Sequence, residues 1–447
     1  MTLTSFTPMP FPLAPDLSRM RQAVSHSRTV KTTGRVTQII GLTIEAQGLD
    51  SELGETVEIH YNSHGRLLAE VVGFKESRAV LMPLGEMNGI QPGAKVIATG
   101  EHFRAPVGKM LLGRVLDGLG NPIDGKGRLN NVHYAPIVSH APHPLTRRPI
   151  NEVMSTGVRV IDSLLTCGKG QRLGIFSGSG VGKSTLMGAI ARNSRSDVSV
   201  IALIGERGRE VQEFIEHNLG EEGLKRSVIV VSTSDQPALI RLKGAWVATA
   251  IAEGFRDEGL DVTLLLDSVT RVAMAQREIG LAIGEPPASK GYTPSVFALL
   301  PKLMERAGTS ARGTITGFYT VLVEGDDFNE PISDAARSIL DGHIMLTRDL
   351  AARNHYPAID VLHSVSRVMP AVTESDHRAH ASKLRRLLAV YEKARDLINI
   401  GAYVKGSDAE IDEAIELMPR ALEFLQQDTE PTDYNEAKEW LSKILAA

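Results

Sequence analysis

The stretch SGSGVGKST, residues 177–185, decides the fold of this chain. It follows the apolar run RLGIF (172–176) and leads into a segment that carries Leu186 and Ile190 at helical spacing. Glycines let the backbone turn tightly, so that successive N–H groups can converge on phosphate oxygens. The amino terminus of the following helix adds partial positive charge at the same place. The stretch therefore predicts a phosphate-binding loop between a strand and a helix, rather than a glycine-rich turn before a core helix.

Two polar residues of this loop have predicted roles in binding a nucleotide and its metal ion. Lys183 is expected to reach the β- and γ-phosphates as a point charge, and the Ser184 hydroxyl is expected to ligate Mg²⁺. The first position of the motif is usually glycine and is Ser177 here, but the remaining glycines and the GKST end outweigh that difference. The predicted nucleotide-binding residues of the loop are Ser177, Gly178, Ser179, Gly180, Val181, Gly182, Lys183, Ser184 and Thr185.

Further apolar runs surround the loop from about residue 151 to residue 370. They read VSVIALIGE, SVIVVST, VTLLLDS and TITGFYTVLV and alternate with helical segments, one of them expected over 209–218. Strands that are apolar throughout are buried on both faces, which is typical of a parallel sheet covered by helices. The sequence thus predicts an α/β core around the loop.

An acid follows two of these strands. Asp267 ends VTLLLD, and an acid at the carboxyl end of a buried strand can hold the Mg²⁺ shell, although many strands simply end in Asp at a turn. Glu206 and Arg207 follow VSVIALIG. Glu206 could orient an attacking water and Arg207 could offset charge that develops on the γ-phosphate. From spacing alone, a surface ion pair or a helix-start acid is an equally good interpretation of this pair.

The flanks of the core have different patterns. Short strands with glycine turns before about residue 100 predict a small antiparallel barrel, and the segment 108–148 is interpreted as a connector. Apolar residues recur only at helical spacing beyond about residue 371. The predicted divisions are an arm at 1–30 with a short helix at Leu17 to Ala23, a β-barrel domain at 31–100, the domain of the phosphate-binding loop at 101–375 and a helical domain at 376–447.

Composition excludes several classes of protein. The chain has 447 residues and a formal net charge of −4, which gives no global reason to expect nucleic acid or an anionic membrane as partner. One cysteine, Cys167, excludes an intrachain disulfide and is interpreted as a buried small residue. Neither a signal peptide nor an apolar run of about 20 residues is present, so a cytoplasmic protein is expected. His377 and His380, three residues apart, are interpreted as a solvated helix face rather than a metal site.

These motifs together resemble the rotary-ATPase superfamily, which comprises the catalytic subunits of ATP synthases and the ATPases of type III export systems. The resemblance runs from about Gly34 to the end of the chain and rests on GSGVGKST, LIGERGREVQEFI, TSDQPALIRLKGA, LLLDSVTRVAMAQREIGLAIGEPPASKGYTPSVFALLPKLMERAG and EGDDFNEPISDAARSILDGHI. VAMAQREIGLAIGEPP and GSDAEIDEAI look closer to flagellar than to injectisome members. It implies a RecA-like parallel sheet with an N-terminal β-barrel and a C-terminal α-helical domain, in the order already predicted.

The resemblance also implies roles for individual residues. Glu206 matches the catalytic glutamate that activates water, and Arg207 and Arg271 match arginines near the γ-phosphate. Tyr356 matches an aromatic residue that stacks on adenine. The alternative interpretation of Tyr356 is a core tyrosine before a Pro turn. Arg367 matches the arginine finger that enters the neighbouring subunit's site, against the alternative of a surface arginine at a strand end.

Two further segments match the family. The chain near Tyr403 and Val404 is a loose match to the rest of the adenine pocket. The segment Glu285–Ser295 resembles a central-channel loop. Because the loop, the Mg²⁺ ligands, the glutamate and the finger occur in one chain, a homohexamer could build complete sites at every interface.

The expected function is a Mg²⁺-dependent ATP hydrolase that energises flagellar-type protein export. Its implied partners are stalk and regulator subunits, export substrates or their chaperones, and the membrane export gate, with the protein cytoplasmic and peripheral at the inner-membrane export apparatus and with no nucleic acid. The alternatives are an injectisome ATPase, a catalytic subunit of a rotary ATP synthase, and an RNA-translocating hexameric helicase. The helicase is disfavoured because Tyr61 and Phe74 of the barrel lack a basic cluster for stacking nucleic acid. A non-hydrolysing scaffold is hard to reconcile with Glu206 beside an intact loop.

Overall fold

The computed structural model describes residues 32–62, 65–323, 327–328 and 330–446. The predicted arm at 1–30, with its short helix at Leu17 to Ala23, lies outside the described residues. Among the described residues, no helix is long and apolar enough to cross a membrane.

Six strands form a closed antiparallel barrel at the beginning of the described chain. The inward residues alternate with outward ones, as Val57 and Ile59 show, both fully buried. The last strand pairs with the first and the third, which closes the barrel and leaves no free edge. The barrel strands are β1 (Thr33–Ile40), β2 (Thr43–Gln47), β3 (Glu55–Tyr61), β4 (Gly65–Lys75), β5 (Arg78–Pro83) and β6 (Lys95–His102), in the order β1-β2-β5-β4-β3-β6.

The core domain contains a nine-stranded sheet in which most neighbours are parallel. Its central apolar runs are buried on both faces, and every residue of Val198–Ile204 is buried. The strands are β8 (Arg114–Asp117), β12 (Arg172–Ser177), β13 (Val198–Ile204), β14 (Ser227–Ser232), β15 (Asp261–Asp267), β16 (Gly308–Thr309), β17 (Thr314–Leu322), β18 (Gly342–Leu346) and β19 (Ile359–Ser366). Their order is β19-β18-β12-β17-β15-β13-β14-β8, with β16 paired to β17.

The segment 108–148 does more than connect two domains. Its strand β8 extends the sheet by pairing in parallel with β14, in the register Val228↔Arg114. A four-residue edge strand needs only one hydrogen-bonded neighbour, and its glycine-rich surroundings hid it from the periodicity argument. Two small two-stranded sheets complete the strands: β7 (Arg104–Val107) with β9 (His133–Pro136), and β10 (Val153–Met154) with β11 (Cys167–Gly168).

Helices cover the sheet and form the carboxyl-terminal region. They are α1 (Arg159–Leu164), α2 (Lys183–Asn193), α3 (Gly208–Glu213) continued by a π-helical turn (Phe214–Leu219), α4 (Gly220–Lys225), α5 (Ala238–Asp257), α6 (Val269–Ala282), α7 (Pro294–Met304), α8 (Pro331–Ile339), α9 (Arg348–Ala352), α10 (Met369–Val372), α11 (Ser375–Asn399), α12 (Ala409–Leu425) and α13 (Tyr434–Ala446). The predicted fold class, a barrel followed by an α/β core and a helical region, is confirmed.

One histidine contradicts its sequence-based interpretation. His377 is only 1% exposed, and its Nε2 lies 2.7 Å from the Ser163 carbonyl oxygen of α1. Its Nδ1 lies 3.2 Å from the Tyr434 hydroxyl. Burial lowers the pKa of His377, which keeps the ring neutral. The solvated-face prediction was wrong for His377, because helical spacing does not reveal which face docks on the core domain.

Candidate active site

The phosphate-binding loop leaves β12 at the carboxyl edge of the sheet and ends at the first turn of α2. Gly180 and Gly182 have φ values of 79° and 86°, a left-handed backbone that favours glycine. Within the described part of the chain, no side chain caps the first turn of α2, whose N-cap is Gly182. The N–H groups of that turn therefore remain available to an anion.

A buried cluster of three charged groups stands beside the loop. Lys183 Nζ lies 2.6 Å from Asp267 Oδ1 and 3.6 Å from Glu206 Oε1. The parallel order of the sheet explains the cluster, because β12, β15 and β13 all end at the same edge. Only 12% of the Lys183 side chain, 15% of Glu206 and 5% of Asp267 are exposed. The structure thus brings together three residues that the sequence placed at the ends of three separate strands.

The electrostatics of this cluster are strongly perturbed. Burial, reinforced by the negative charge of Asp267 and the Glu210 carboxyl group, raises the pKa of Glu206 to about 7, and Lys183 only partly opposes the rise. Burial works against the charge of Lys183, but attraction to Asp267 and Glu206 outweighs it and raises the pKa of the ammonium group. Lys183 is therefore cationic at neutral pH, while Glu206 can both release and accept a proton there.

The polar atoms of this edge fit a ligand that carries negative charge and a metal ion. Three of them, Ser177 Oγ, Glu206 Oε1 and Arg271 Nε, are buried without a hydrogen-bond partner among the described residues. Unsatisfied buried polar atoms are rare in folded proteins, so their concentration beside a phosphate-binding loop indicates a place for a ligand. Asp267 and the exposed Ser184 hydroxyl supply the hard oxygen donors that Mg²⁺ prefers.

The two candidate arginines have different surroundings. Arg271, in the first turn of α6, packs against the backbone next to Glu206, because a Cβ atom at Gly205 would lie 2.7 Å from Arg271 Cβ. The side chain of Arg207 is 79% exposed, and its Nη1 lies 3.6 Å from Glu210 Oε1. The structure therefore places Arg271 inside the site and Arg207 at its rim.

Tyr356 lies on the other side of the loop. A Cβ atom at Gly182 would lie 3.3 Å from Tyr356 Cε1, so the ring contacts the start of α2. The residue is 41% exposed, which leaves part of the ring open to a planar ligand. Of the loosely matched residues, Tyr403 donates from its hydroxyl to the Asp408 carbonyl within its own loop, and Val404 is 70% exposed.

Arg367 lies at the opposite edge of the sheet from its own phosphate-binding loop. Ser177, at the end of β12, pairs with Leu346, which pairs with Ile359 at the start of the antiparallel strand β19. β19 then runs back to the opposite edge, where its last residue, Ser366, pairs with Gly342. Because β19 bulges between Asp360 and Val365, the paired strand β18 advances only four residues from Leu346 to Gly342, and the two edges lie roughly 13 Å apart. Arg367 is exposed and follows this far edge, on a strand separated from β12 by β18, so it lies away from the loop of its own chain.

Sequence reasoning missed two residues around the site. Thr320 of β17 donates from Oγ1 to Asp267 Oδ1 over 2.6 Å and thereby orients the carboxylate. Its signal was its place in TITGFYTVLV, a strand adjacent to β15 only in the folded sheet. The backbone N–H of Gln427 donates to the Tyr356 carbonyl over 2.9 Å, and no motif marked this residue.

Comparison with known proteins identifies the class to which this fold and site belong. The family model of the ATP synthase alpha/beta family, nucleotide-binding domain, matches residues 157–366, and the model of the beta-barrel domain of that family matches residues 36–100. The model of the type III secretion EscN ATPase C-terminal domain matches residues 373–443. The chain belongs to the ATP synthase alpha/beta family, in its flagellar and type III secretion ATPase branch, and it is an ATPase.

Individual relatives agree over almost the full length. The chain is 57% identical over 402 residues to the flagellum-specific ATP synthase of Bacillus subtilis, covering 90% of this chain and 92% of the relative. It is 52% identical to the type 3 secretion system ATPase of Xanthomonas euvesicatoria, over 93% of both chains. The assembled ATPase EscN of the enteropathogenic E. coli type III secretion system superposes with a TM-score of 0.88 at 45% identity, over 92% of this chain and 100% of EscN. The resemblance stated from the motifs is confirmed.

Proposed function

We propose that this protein is a Mg²⁺-dependent ATP hydrolase that energises flagellar-type protein export and acts as a homohexameric ring. The observation that carries the proposal is the buried Lys183–Asp267–Glu206 cluster beside a phosphate-binding loop. The cluster holds a cation for phosphate and a carboxyl group that is poised to exchange a proton near neutral pH. Relatives named flagellum-specific ATP synthases at 57%, 56% and 50% identity support the flagellar assignment.

Different residues of the chain bind the phosphates, bind the adenine and position the attacking water. Lys183 and the N–H groups of the loop bind the β- and γ-phosphates, and Tyr356 stacks on the adenine. Glu206 holds the attacking water in line with the γ-phosphate and accepts its proton as the new P–O bond forms and the bond to the leaving ADP breaks. Ser184 and Asp267 would hold Mg²⁺, which would supply positive charge to neutralise the phosphates.

Arginines stabilise the charge that develops during the transfer. Arg271, which packs beside Glu206, would face the γ-phosphate, and Arg207 at the rim would offset further charge that develops there. Arg367 lies away from the loop of its own chain, so the finger is supplied by the next subunit. This split site accounts for a ring, because each interface then contains one complete set of residues.

Solved assemblies support the proposed quaternary structure. The relative EscN is described as an assembled ATPase and also in complex with its central stalk EscO, where the matching chain has a TM-score of 0.86 and 45% identity. By analogy, a central stalk occupies the ring of this protein. Regulator subunits, export substrates or their chaperones and the membrane export gate are its further partners, with the ring peripheral to the inner membrane on the cytoplasmic side.

Phosphate release from MgATP by the purified protein tests the enzymatic part of the proposal. Lys183→Ala is expected to lower turnover by about 10²-fold or more, because it removes a fixed cation from the phosphates. A melting curve of Lys183→Ala checks that the loss does not arise from unfolding. Absence of hydrolysis by the wild-type chain at concentrations where it assembles would refute the proposal.

The export assignment has its own test. Cells that carry the Glu206→Gln chain are expected to retain normal levels of this protein but to export little flagellar filament protein. An injectisome ATPase would instead affect secretion of injectisome substrates and leave filament protein unchanged. A rotary ATP synthase subunit would need a second, non-catalytic subunit to form rings, which gel filtration of the purified chain would reveal, and an RNA helicase would show RNA-stimulated hydrolysis.

A further inference from the structure

The link between the last two helices, residues 426–433, runs beside the tyrosine of the site. The backbone N–H of Gln427 donates to the Tyr356 carbonyl over 2.9 Å. The adjacent Gln426 side chain lies 3.3 Å, Nε2 to Nδ1, from His355, which is 5% exposed. Two consecutive residues of the link thus contact two consecutive residues of the segment that presents the Tyr356 ring.

The side chain of Gln427 is itself held on both of its polar atoms. Oε1 accepts from the Arg159 backbone N–H over 2.6 Å. Nε2 donates to the Gly157 carbonyl over 2.9 Å and to the Glu430 carbonyl over 2.8 Å. A primary amide is needed for this arrangement, because one end must accept from an N–H while the other donates to two carbonyls.

The groups that Gln427 joins lie at opposite ends of helix α2. The Gly157 turn packs on the end of the helix, since a Cβ atom at Gly157 would lie 2.5 Å from Asn193 Cβ. The Tyr356 ring packs on its start, at Gly182. Gln427 therefore fixes the segment of the aromatic ring relative to the whole helix that follows the phosphate-binding loop.

We propose that Gln427 is a positioning residue for the nucleotide: it holds the Tyr356 backbone so that the ring stays over Gly182, and it thereby sets the affinity for the base without touching the phosphates. This role rests on the proposed function, because it requires that Tyr356 receives adenine. It also links the helical region to nucleotide affinity, since a shift of the link would move Tyr356.

The substitution Gln427→Ala tests this role through the difference between base and phosphate binding. We expect the KM for ATP and the Kd for ADP to rise about five- to twentyfold, which corresponds to the loss of one or two net hydrogen bonds. The value of kcat at saturating ATP and the affinity for magnesium tripolyphosphate, which has no base, are expected to stay within about twofold, because no phosphate contact changes.

Two further variants complete the experiment. Gln427→Glu keeps the size and the acceptor of the side chain but loses the donor that faces Gly157. It is therefore expected to weaken ADP binding while tripolyphosphate binding is retained. This variant tests the positioning role if Gln427→Ala does not fold. Gln91→Ala, the same substitution at an exposed position of the barrel domain, is the matched control and is expected to bind ADP like the wild type.

The possible outcomes separate this inference from the proposed function. Wild-type protein that binds neither ADP nor tripolyphosphate refutes the proposed function and the inference with it. If the wild type binds both, unchanged ADP affinity in folded Gln427→Ala or Gln427→Glu overturns the positioning role alone. If a Gln427 variant loses ADP affinity and tripolyphosphate affinity equally, the positioning role is also overturned. A positioning residue for the base should weaken only ADP binding, whereas general damage to the domain weakens both.

Discussion

Asp162 and Glu206 are two buried carboxyl groups of the core domain with raised pKa values. They differ in how many hydrogen bonds the rest of the described chain gives to their oxygens. Burial raises the pKa of Asp162 to about 6 and that of Glu206 to about 7. Both oxygens of Asp162 accept hydrogen bonds from the Ser155 hydroxyl, the Thr156 N–H and hydroxyl, and the Gly157 N–H. Glu206 Oε1 is buried with no hydrogen bond from the described residues.

The difference separates a structural carboxylate from a functional one. Asp162 is complete within the chain and fixes the turn that receives the helical region. Glu206 Oε1 has no hydrogen-bond partner among the described residues, and in the proposed function its partner is the attacking water. A raised pKa alone therefore does not mark an active site, whereas a raised pKa together with an unpartnered oxygen beside a phosphate-binding loop indicates one.

The strongest test of this contrast removes the group that the neighbour supplies. Arg367→Ala is expected to lower ATP turnover by about 10³-fold or more, because an arginine finger offsets charge in the transition state. The binding of ADP should be nearly unchanged. The exposed Arg128→Ala serves as the control and should be active.

Mixing two inactive variants sharpens the same test. Arg367→Ala still supplies Glu206, and Glu206→Gln still supplies Arg367, so an equal mixture should recover about a quarter of wild-type turnover if subunits assemble at random. A mixture no more active than its separate components would contradict a shared site.

A comparison of the variants Glu206→Gln and Asp162→Asn tests the two carboxyl groups directly. The first is expected to lower kcat by about 10²–10⁴-fold with ADP binding retained, because the proton acceptor is lost. The second makes the same chemical change but should leave kcat close to that of the wild type at temperatures where it is folded. Steady-state kinetics of both variants check this expectation. Normal ATP hydrolysis by Glu206→Gln would refute the assignment of Glu206 as the proton acceptor.

The pH dependence of catalysis should follow Glu206. Its pKa of about 7 means that the acceptor form is lost as the pH falls, so kcat/KM should drop about tenfold per unit below neutrality. This limb should be absent from the residual activity of Glu206→Gln. A wild-type profile that stays flat well below pH 7 would show that Glu206 does not act as the base.

The smallest expected effect concerns stability and Asp162. Its pKa is raised on folding from the ordinary 3.8 to about 6, so the folded state favours the protonated form. The stabilisation is fully present below the unfolded pKa and is lost as the pH rises through about 6, a change on the order of 1–3 kcal/mol. Between about pH 5 and about pH 7, Tm should therefore fall for the wild type relative to Asp162→Asn, and a constant difference would contradict this linkage.

The sequence by itself determined the parts of this protein that depend on neighbouring residues. Nine consecutive residues predict the phosphate-binding loop, and unbroken apolar runs predict the strands of the sheet, because a loop motif and a two-sided burial pattern are local properties. Lys183, Glu206 and Asp267 could be placed near one another because parallel strands end at one edge. The weakly patterned edge strand β8 escaped prediction, since its glycine-rich surroundings carry no periodicity.

Only the tertiary structure decided which distant residues meet. The reversal of β19 carries Arg367 away from its own loop while it leaves Tyr356 over Gly182. The docking of the helical region buries His377 and brings Gln427 to Tyr356. These contacts depend on strand register and on the packing of helices far apart in the sequence, which no local pattern encodes.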